Sequence, residues 1–342
     1  MDSPFLSPKV AAPDSGFEAA LQKARRGDID LDSAVALFEG AVRKERMLRL
    51  FAEASKVRDE NLGRTLALSA HIHMITSCEV SPACKYCSLS SEIASIQDER
   101  AKLPKESLIE AVQYATTRGV QSIVLVGGTN AKGSDAEVRE VVETVRSVSD
   151  VELGLDVGPS LSEETIHWLK GRNAGTVYCS IETSDPALFR RAKPGDSLEG
   201  RIRFDRMLER HGMHHGNVVM NGLGSARDLL SSILFLQSFR HLTYLYISTF
   251  RPVHGTPYAK KRPASLTTSL KALAIARFVF PKVHLGLAEV EVEDPGSAAR
   301  TSSQLTAGGG NTFAGILIYR NRRVDYLDQI RREAREAGFS AE

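Results

Sequence analysis

From about residue 66 onward, short apolar runs suited to strands alternate with amphipathic stretches suited to helices, and this alternation restricts the fold more than any other feature. A strand followed by a helix and another strand buries its apolar faces by crossing over into a parallel sheet. The strand-like runs are Leu66 to Ile75, Gln121 to Val126, Val151 to Val157, Gly175 to Glu182, Gly216 to Gly222, Leu242 to Phe250, Lys282 to Leu287 and Ser302 to Thr306. Helical patterns between them cover Lys105 to Arg118, Asp135 to Ser147, Ser162 to Lys170, Leu198 to His211, Ala226 to Ser238 and Ser265 to Phe280. Eight strands over about 240 residues predict an α/β chain folded as a closed (β/α)8 TIM-type barrel, with its active site at the C-terminal ends of the strands. An open doubly wound sheet is the alternative, because strand count does not prove closure.

Upstream, residues 1 to 16 are rich in Pro, Ser and Ala, and amphipathic patterns follow over roughly 17 to 26 and 31 to 54. The expected organisation is a flexible tail over 1–16, a helical preface over 17–60, the barrel over 61–319 and a C-terminal helix over 320–342.

With 342 residues, 42% hydrophobic, the chain can bury a large core. Its formal charge is only +2, from 44 basic and 42 acidic residues spread along the sequence. That balance gives no electrostatic footprint for nucleic acid or an anionic membrane, so a small-molecule substrate is expected. No run of about 18 apolar residues occurs, and the N-terminal stretch lacks the pattern of a secretory signal. A cytoplasmic location is expected.

Three of the four cysteines crowd into Cys78-Glu-Val-Ser-Pro-Ala-Cys84-Lys-Tyr-Cys87, just after the first strand-like run. This is a poor disulfide framework and a good ligand set. Two cysteines separated by two residues can turn both thiolates to one metal centre, and a third upstream can close a triangle around it. Spacing alone leaves three readings: an iron–sulfur cluster, a structural zinc completed by His71 or His73, or unliganded thiols. His71 and His73 share one strand face, as barrel-interior residues or as substrate contacts.

The stretch resembles the radical SAM superfamily, in which three cysteines hold a 4Fe-4S cluster and S-adenosylmethionine (SAM) chelates the fourth iron. The order of segments from about Leu66 to Tyr319 is similar to the branch of biotin synthase, HydE and methylornithine synthase. The resemblance implies that Cys78, Cys84 and Cys87 are the metal ligands and that Tyr86 packs on the SAM adenine. Gly127, Gly128 and Thr129 match the segment whose backbone carbonyls receive the SAM amino group, with Thr129 in place of the usual Glu. Ser180 and Glu182 share one face of the fourth strand, and Glu182 matches a carboxylate that meets the SAM ribose. Arg201, eleven residues before Gly212, matches an arginine that pairs with the SAM carboxylate. Val219 and Gly222 match backbone or apolar contacts to adenine. Ser225 departs from the usual Glu and reads as a helix N-cap. Cys179 lies on the opposite strand face from Ser180 and reads as a small buried residue toward the outer helices. Arg251 or His254 would face substrate or support its loop, and the glycine loop Ala307 to Asn311 would follow the eighth strand at the barrel mouth.

The activity implied is reductive SAM cleavage to a 5′-deoxyadenosyl radical that takes hydrogen from a small organic substrate, with ferredoxin or flavodoxin as electron donor. The first cysteine gap, five residues instead of the usual three, resembles HmdB-type proteins, associated with the iron-guanylylpyridinol cofactor of iron-only hydrogenase. Alternatives are a HydE-like maturase, a methylornithine synthase-like mutase and a non-catalytic cluster-carrying scaffold.

Overall fold

The structure is a computed structural model that describes residues 15–87, 89, 102–130, 132–288 and 299–341. Most of the expected tail lies outside the described residues. Three helices open the chain, α1 (Ser15–Arg25), α2 (Leu31–Gly40) and α3 (Lys44–Leu62). Asp30 caps α2 by accepting from the Ser33 amide at 2.7 Å. All three bury an apolar stripe that includes Phe17, Leu37 and Leu50.

The sheet begins with β1 (Ala67–His73) and continues through α4 (Lys105–Thr117), β2 (Ser122–Val126), α5 (Asp135–Arg146), β3 (Glu152–Asp156), α6 (Glu163–Lys170) and β4 (Thr176–Tyr178). Next come α7 (Pro186–Ala192), α8 (Leu198–Arg210), β5 (His214–Asn221), α9 (Ala226–Phe235), β6 (Leu242–Thr249), α10 (Leu266–Val279) and β7 (His284–Ala288). The chain ends with α11 (Ala299–Thr306), β8 (Thr312–Tyr319), β9 (Arg322–Asp325) and α12 (Leu327–Glu336). Strand order is β7-β6-β5-β4-β3-β2-β1-β8-β9, parallel throughout except for the β8–β9 hairpin. Alternation along each strand divides the residues. On β2, Ile123 and Leu125 pack outward against the helices, while Val124 and Val126 face the interior. Ser225 does cap α9, in a reciprocal capping box with Asp228.

Two expectations are corrected here. Ser302 to Thr306 is not the eighth strand but the end of α11: Thr301, Gln304 and Leu305 are buried at helical spacing, and the Thr306 hydroxyl bonds back to the Ser302 carbonyl at 2.6 Å. The eighth strand is β8, which pairs with β1 from Ala67↔Thr312 onward. Consequently the loop Ala307 to Asn311 precedes its strand and sits at the end opposite the mouth. There Gly308 lies against Phe51 and Ser55, and Gly309 against Leu273, so close that a Cβ would collide with their backbone. It is a packing loop, not a ligand loop.

Among the described residues no ladder joins β7 to β8: the parallel sheet curls into a TIM-like half-barrel whose edges are linked by side-chain and single backbone bonds. Asn311 makes the seam: its Oδ1 accepts from the Leu285 amide and from Arg277, and its backbone amide donates to the Leu285 carbonyl at 2.8 Å. Its own carbonyl accepts from the Ala67 amide, so one residue ties β7 to β1.

Candidate functional site

The cysteine loop leaves β1 at the C-terminal end of the sheet, where a parallel barrel gathers its functional loops. It is fastened on two sides. Glu79 donates through its backbone to the Thr129 carbonyl at 3.0 Å, and the Thr76 hydroxyl donates to the Gly128 carbonyl at 3.2 Å. On the far side, Lys85 donates through its backbone to the Ala192 carbonyl at 2.9 Å, and its carbonyl accepts from Tyr258. Gly127 and Gly128 are required by contact: a Cβ on the first would strike Thr76 and on the second the backbone of Cys78. Cys84 and Cys87 are half-buried beside Tyr86, Ala192, Met220 and Tyr258. Burial pushes the Cys84 thiol up to about 12, against the opposing pull of Lys193.

Three thiols in one loop, two of them sheltered by apolar side chains, suit an iron–sulfur cluster by donor chemistry. Among the described residues, no three His, Cys, Asp or Glu side chains converge on a ready-made metal site. His71 and His73 lie on the strand, lining the interior, rather than joining the thiols.

Beside this loop the ends of β4 and α8 bring charged groups together. Glu182 adopts a left-handed backbone, φ 62°, which strains a non-glycine residue by roughly 1 kcal/mol or more. Its Oε1 lies 3.4 Å from Lys193 Nζ, while its buried Oε2 has no hydrogen-bond partner among the described residues. Lys193, only 3% exposed, also lies 3.4 Å from Asp196. Burial opposes its charge, as does Arg201, but Glu182, Cys84 and Asp196 outweigh both and raise its pKa. Arg201 is buried; its Nη2 and Nε donate to Asp196 Oδ2 at 2.6 and 2.9 Å, its Nη1 to the Ser180 carbonyl and its Nη2 to Thr129 Oγ1. The fork assigned by resemblance to a SAM carboxylate is therefore taken by Asp196.

The mouth opens into an interior cavity of about 300 Å³. Tyr86, Cys87, Ser180 and Glu182 line it together with His71, His73 and Asp156. The Tyr86 hydroxyl, His71 Nε2 and both ring nitrogens of His73 are buried without a hydrogen-bond partner among the described residues. His73 stacks on Tyr319 at 4.2 Å. Burial lowers the histidines to about 4 and about 3, so both imidazoles are neutral at pH 7. Burial also raises Asp156 to about 6, although Arg201 and Lys193 hold it down.

Other predicted residues lie elsewhere. Val219 points outward into the helix-packed core, and Val218 and Met220 take the inward places on β5. Gly222, at φ 110°, packs against Phe250 and Ala264. Arg251 and His254 do not line the cavity, and Cys179 is buried among outward-facing residues such as Phe204 and Leu208. Sequence reasoning missed Asp156 and Lys193. The first was detectable from alternation, since it ends β3 on the interior face; the second depends on how the α7–α8 turn folds back.

Residues 73–228 match the radical SAM superfamily. An uncharacterised protein of Methanocaldococcus jannaschii is 27% identical over 76% of this chain and 69% of its own length. A 3-methylornithine synthase of Methanosarcina barkeri is 29% identical over 70% of this chain and 67% of its own. The crystal structure of methylornithine synthase (PylB) superposes with a TM-score of 0.82 at 21% identity, covering 94% of this chain and 97% of that one, which establishes the shared fold. Set beside the thiol loop and the barrel mouth, the match over residues 73–228 identifies a radical SAM superfamily domain in this chain, an enzyme domain with a 4Fe-4S cluster and SAM as its cofactors.

Proposed function

We propose that this enzyme cleaves SAM reductively and directs the resulting radical at a C–H bond of a small organic substrate held in the interior cavity. The observation that carries this reading is the shared lining: Tyr86 and Cys87 from the thiol loop and Ser180 and Glu182 from the segment after β4 border the same 300 Å³ space as His71, His73 and Asp156. Cys78, Cys84 and Cys87 would hold the cluster. Tyr86, Glu182 and the Gly127–Thr129 backbone would receive SAM, with Arg201 fixing the Ser180 and Thr129 positions through its hydrogen bonds. Bound and reduced, these cofactors supply a 5′-deoxyadenosyl radical and methionine. The chain's own contribution is positioning and shielding: apolar Val124, Val126, Val218 and Leu287 exclude competing donors, and the neutral histidines offer hydrogen bonds to a polar substrate group. Anaerobic reconstitution and reduction with dithionite should yield 5′-deoxyadenosine from SAM. Its absence, with about four irons bound per chain, would point instead to the cluster-carrying scaffold.

The narrower role proposed is a radical step on a carbon-framework precursor of the iron-guanylylpyridinol cofactor, as in HmdB, with ferredoxin or flavodoxin as donor. The five-residue gap between Cys78 and Cys84 supports it. Deleting the gene in a host that makes the hydrogenase, feeding isotope-labelled precursors and examining the pyridinol by mass spectrometry tests it; unchanged labelled cofactor would refute this role and leave the radical chemistry standing.

A further inference from the structure

The β4–β5 ladder stops at Tyr178↔Gly216, yet Glu182 bridges again to Val219. Between these points the chain leaving β4 advances four residues while β5 advances three. The extra residue is a bulge, a device that breaks pairing and re-aims a side chain. Here the re-aimed residue is Glu182, in its left-handed backbone, with its amide on the Val218 carbonyl and its own carbonyl accepting from Met220, both at 2.8 Å.

Within the bulge, the Ile181 amide and the Cys179 carbonyl find their partners in one side chain. Asn217 Oδ1 accepts from Ile181 N at 2.9 Å and from Val218 N at 3.0 Å. Its Nδ2 donates to the Cys179 carbonyl at 3.0 Å and to Asp205 Oδ2 at 3.1 Å. Asn217 and Asp205 are both fully buried. A primary amide has two donor hydrogens and two acceptor lone pairs, and all four are used. No other side chain of this size supplies both functions: aspartate cannot donate to the carbonyl, and leucine leaves two amides and a carbonyl unpaired.

We propose that Asn217 is a positioning residue that holds the bulge and so aims Glu182 at the cofactor, with Asp205 orienting Asn217 from behind. This rests on the reading of Glu182 as a SAM contact. The test measures SAM affinity by calorimetry on the cluster-reconstituted enzyme. Glu182→Gln and Asn217→Ala should each weaken binding roughly tenfold, and the double variant should be no weaker than either alone, because both remove the same contact. Amide hydrogen exchange over Cys179–Thr183 should quicken in Asn217→Ala without SAM, while iron content stays at the wild-type level. If Asn217→Ala does not fold, Asp205 carries the test: Asp205→Asn keeps an acceptor and should bind SAM as wild type does, whereas Asp205→Leu should weaken it. Unaltered affinity in Asn217→Ala and Asp205→Leu, or losses that multiply in the double variant, would overturn the positioning role alone. Unaltered affinity in Glu182→Gln would remove the contact reading and the proposal with it.

Discussion

Replacing His73 by Phe should flatten the acid dependence of stability, and the size of the change follows from the cavity. The ring has no hydrogen-bond partner among the described residues and is held at about 3, against 6.5 when solvated, by burial first and by His71 second. It is neutral in the fold and takes up a proton on unfolding. The stabilisation is therefore complete above pH 6.5 and is lost as pH falls below it, since the unfolded chain binds more protons. Integrating that linkage from pH 7.5 to 5.5 gives on the order of 1 kcal/mol for His73, a figure insensitive to the native value because it lies well below the window. His71 and the buried His215, each lowered to about 4, act in the same direction. Asp156, raised to about 6 from 3.8, acts oppositely over the same range. Those groups are common to both proteins and cancel. Urea unfolding of wild type and His73→Phe at the two pH values should thus differ in pH dependence by about 1 kcal/mol once cavity water is allowed for. Identical pH dependences would show that the imidazole is solvated or paired, and would sink the account of a neutral histidine wall.

Cys78→Ala, Cys84→Ala and Cys87→Ala should each abolish 5′-deoxyadenosine formation, measured by chromatography after anaerobic reduction, whereas Cys179→Ala should leave it largely intact because that thiol faces the outer core. Arg201→Lys should weaken SAM binding while the cluster still assembles, since lysine cannot serve Asp196, Ser180 and Thr129 together; calorimetry beside iron analysis checks both halves. Asn311→Ala should cost about 3 kcal/mol in urea unfolding, because it unpairs the Leu285 amide and removes an acceptor from the buried Arg277.

Alternation and turn chemistry made most of the barrel legible. Short apolar runs between amphipathic stretches located seven of the eight parallel strands, and the period of two within a strand separated its outward from its inward face. The eighth was misplaced because Ser302 to Thr306 is short and polar, with too few apolar residues to show a helical period, and its Ser302 amide and hydroxyl donate to Glu333 of α12, far along the chain. The thiol loop and Gly127–Gly128 were legible because consecutive residues carry the signal. Lys193 and Asp196 were not, since their value lies in meeting Glu182 and Arg201 across a turn. Asn217 was hidden for a related reason: the bulge it fills is a difference in residue count between two strands, which neither strand displays alone.

The same alternation explains how the character of the cavity wall changes along the strands. Inward positions nearest the mouth carry the charged and hydrogen-bonding groups, with Asp156, Ser180 and Glu182 at the ends of β3 and β4. One step deeper, β4 and β6 place Tyr178 and Tyr246 inward, and their rings lie 6.4 Å apart, with Tyr244 6.1 Å from Tyr178. Glycines make room for them: a Cβ on Gly216 would run into the Tyr178 ring, and one on Gly154 would sit 3.1 Å from it. The Tyr246 hydroxyl is fastened to Thr312 at 3.3 Å, on the strand that completes the curl. Beneath the rings only about 10 Å³ is left, space for roughly one water. Bulky aromatic residues beside glycines thus form a floor, and the thiol loop and Glu182 border the cavity at the other end of the strands.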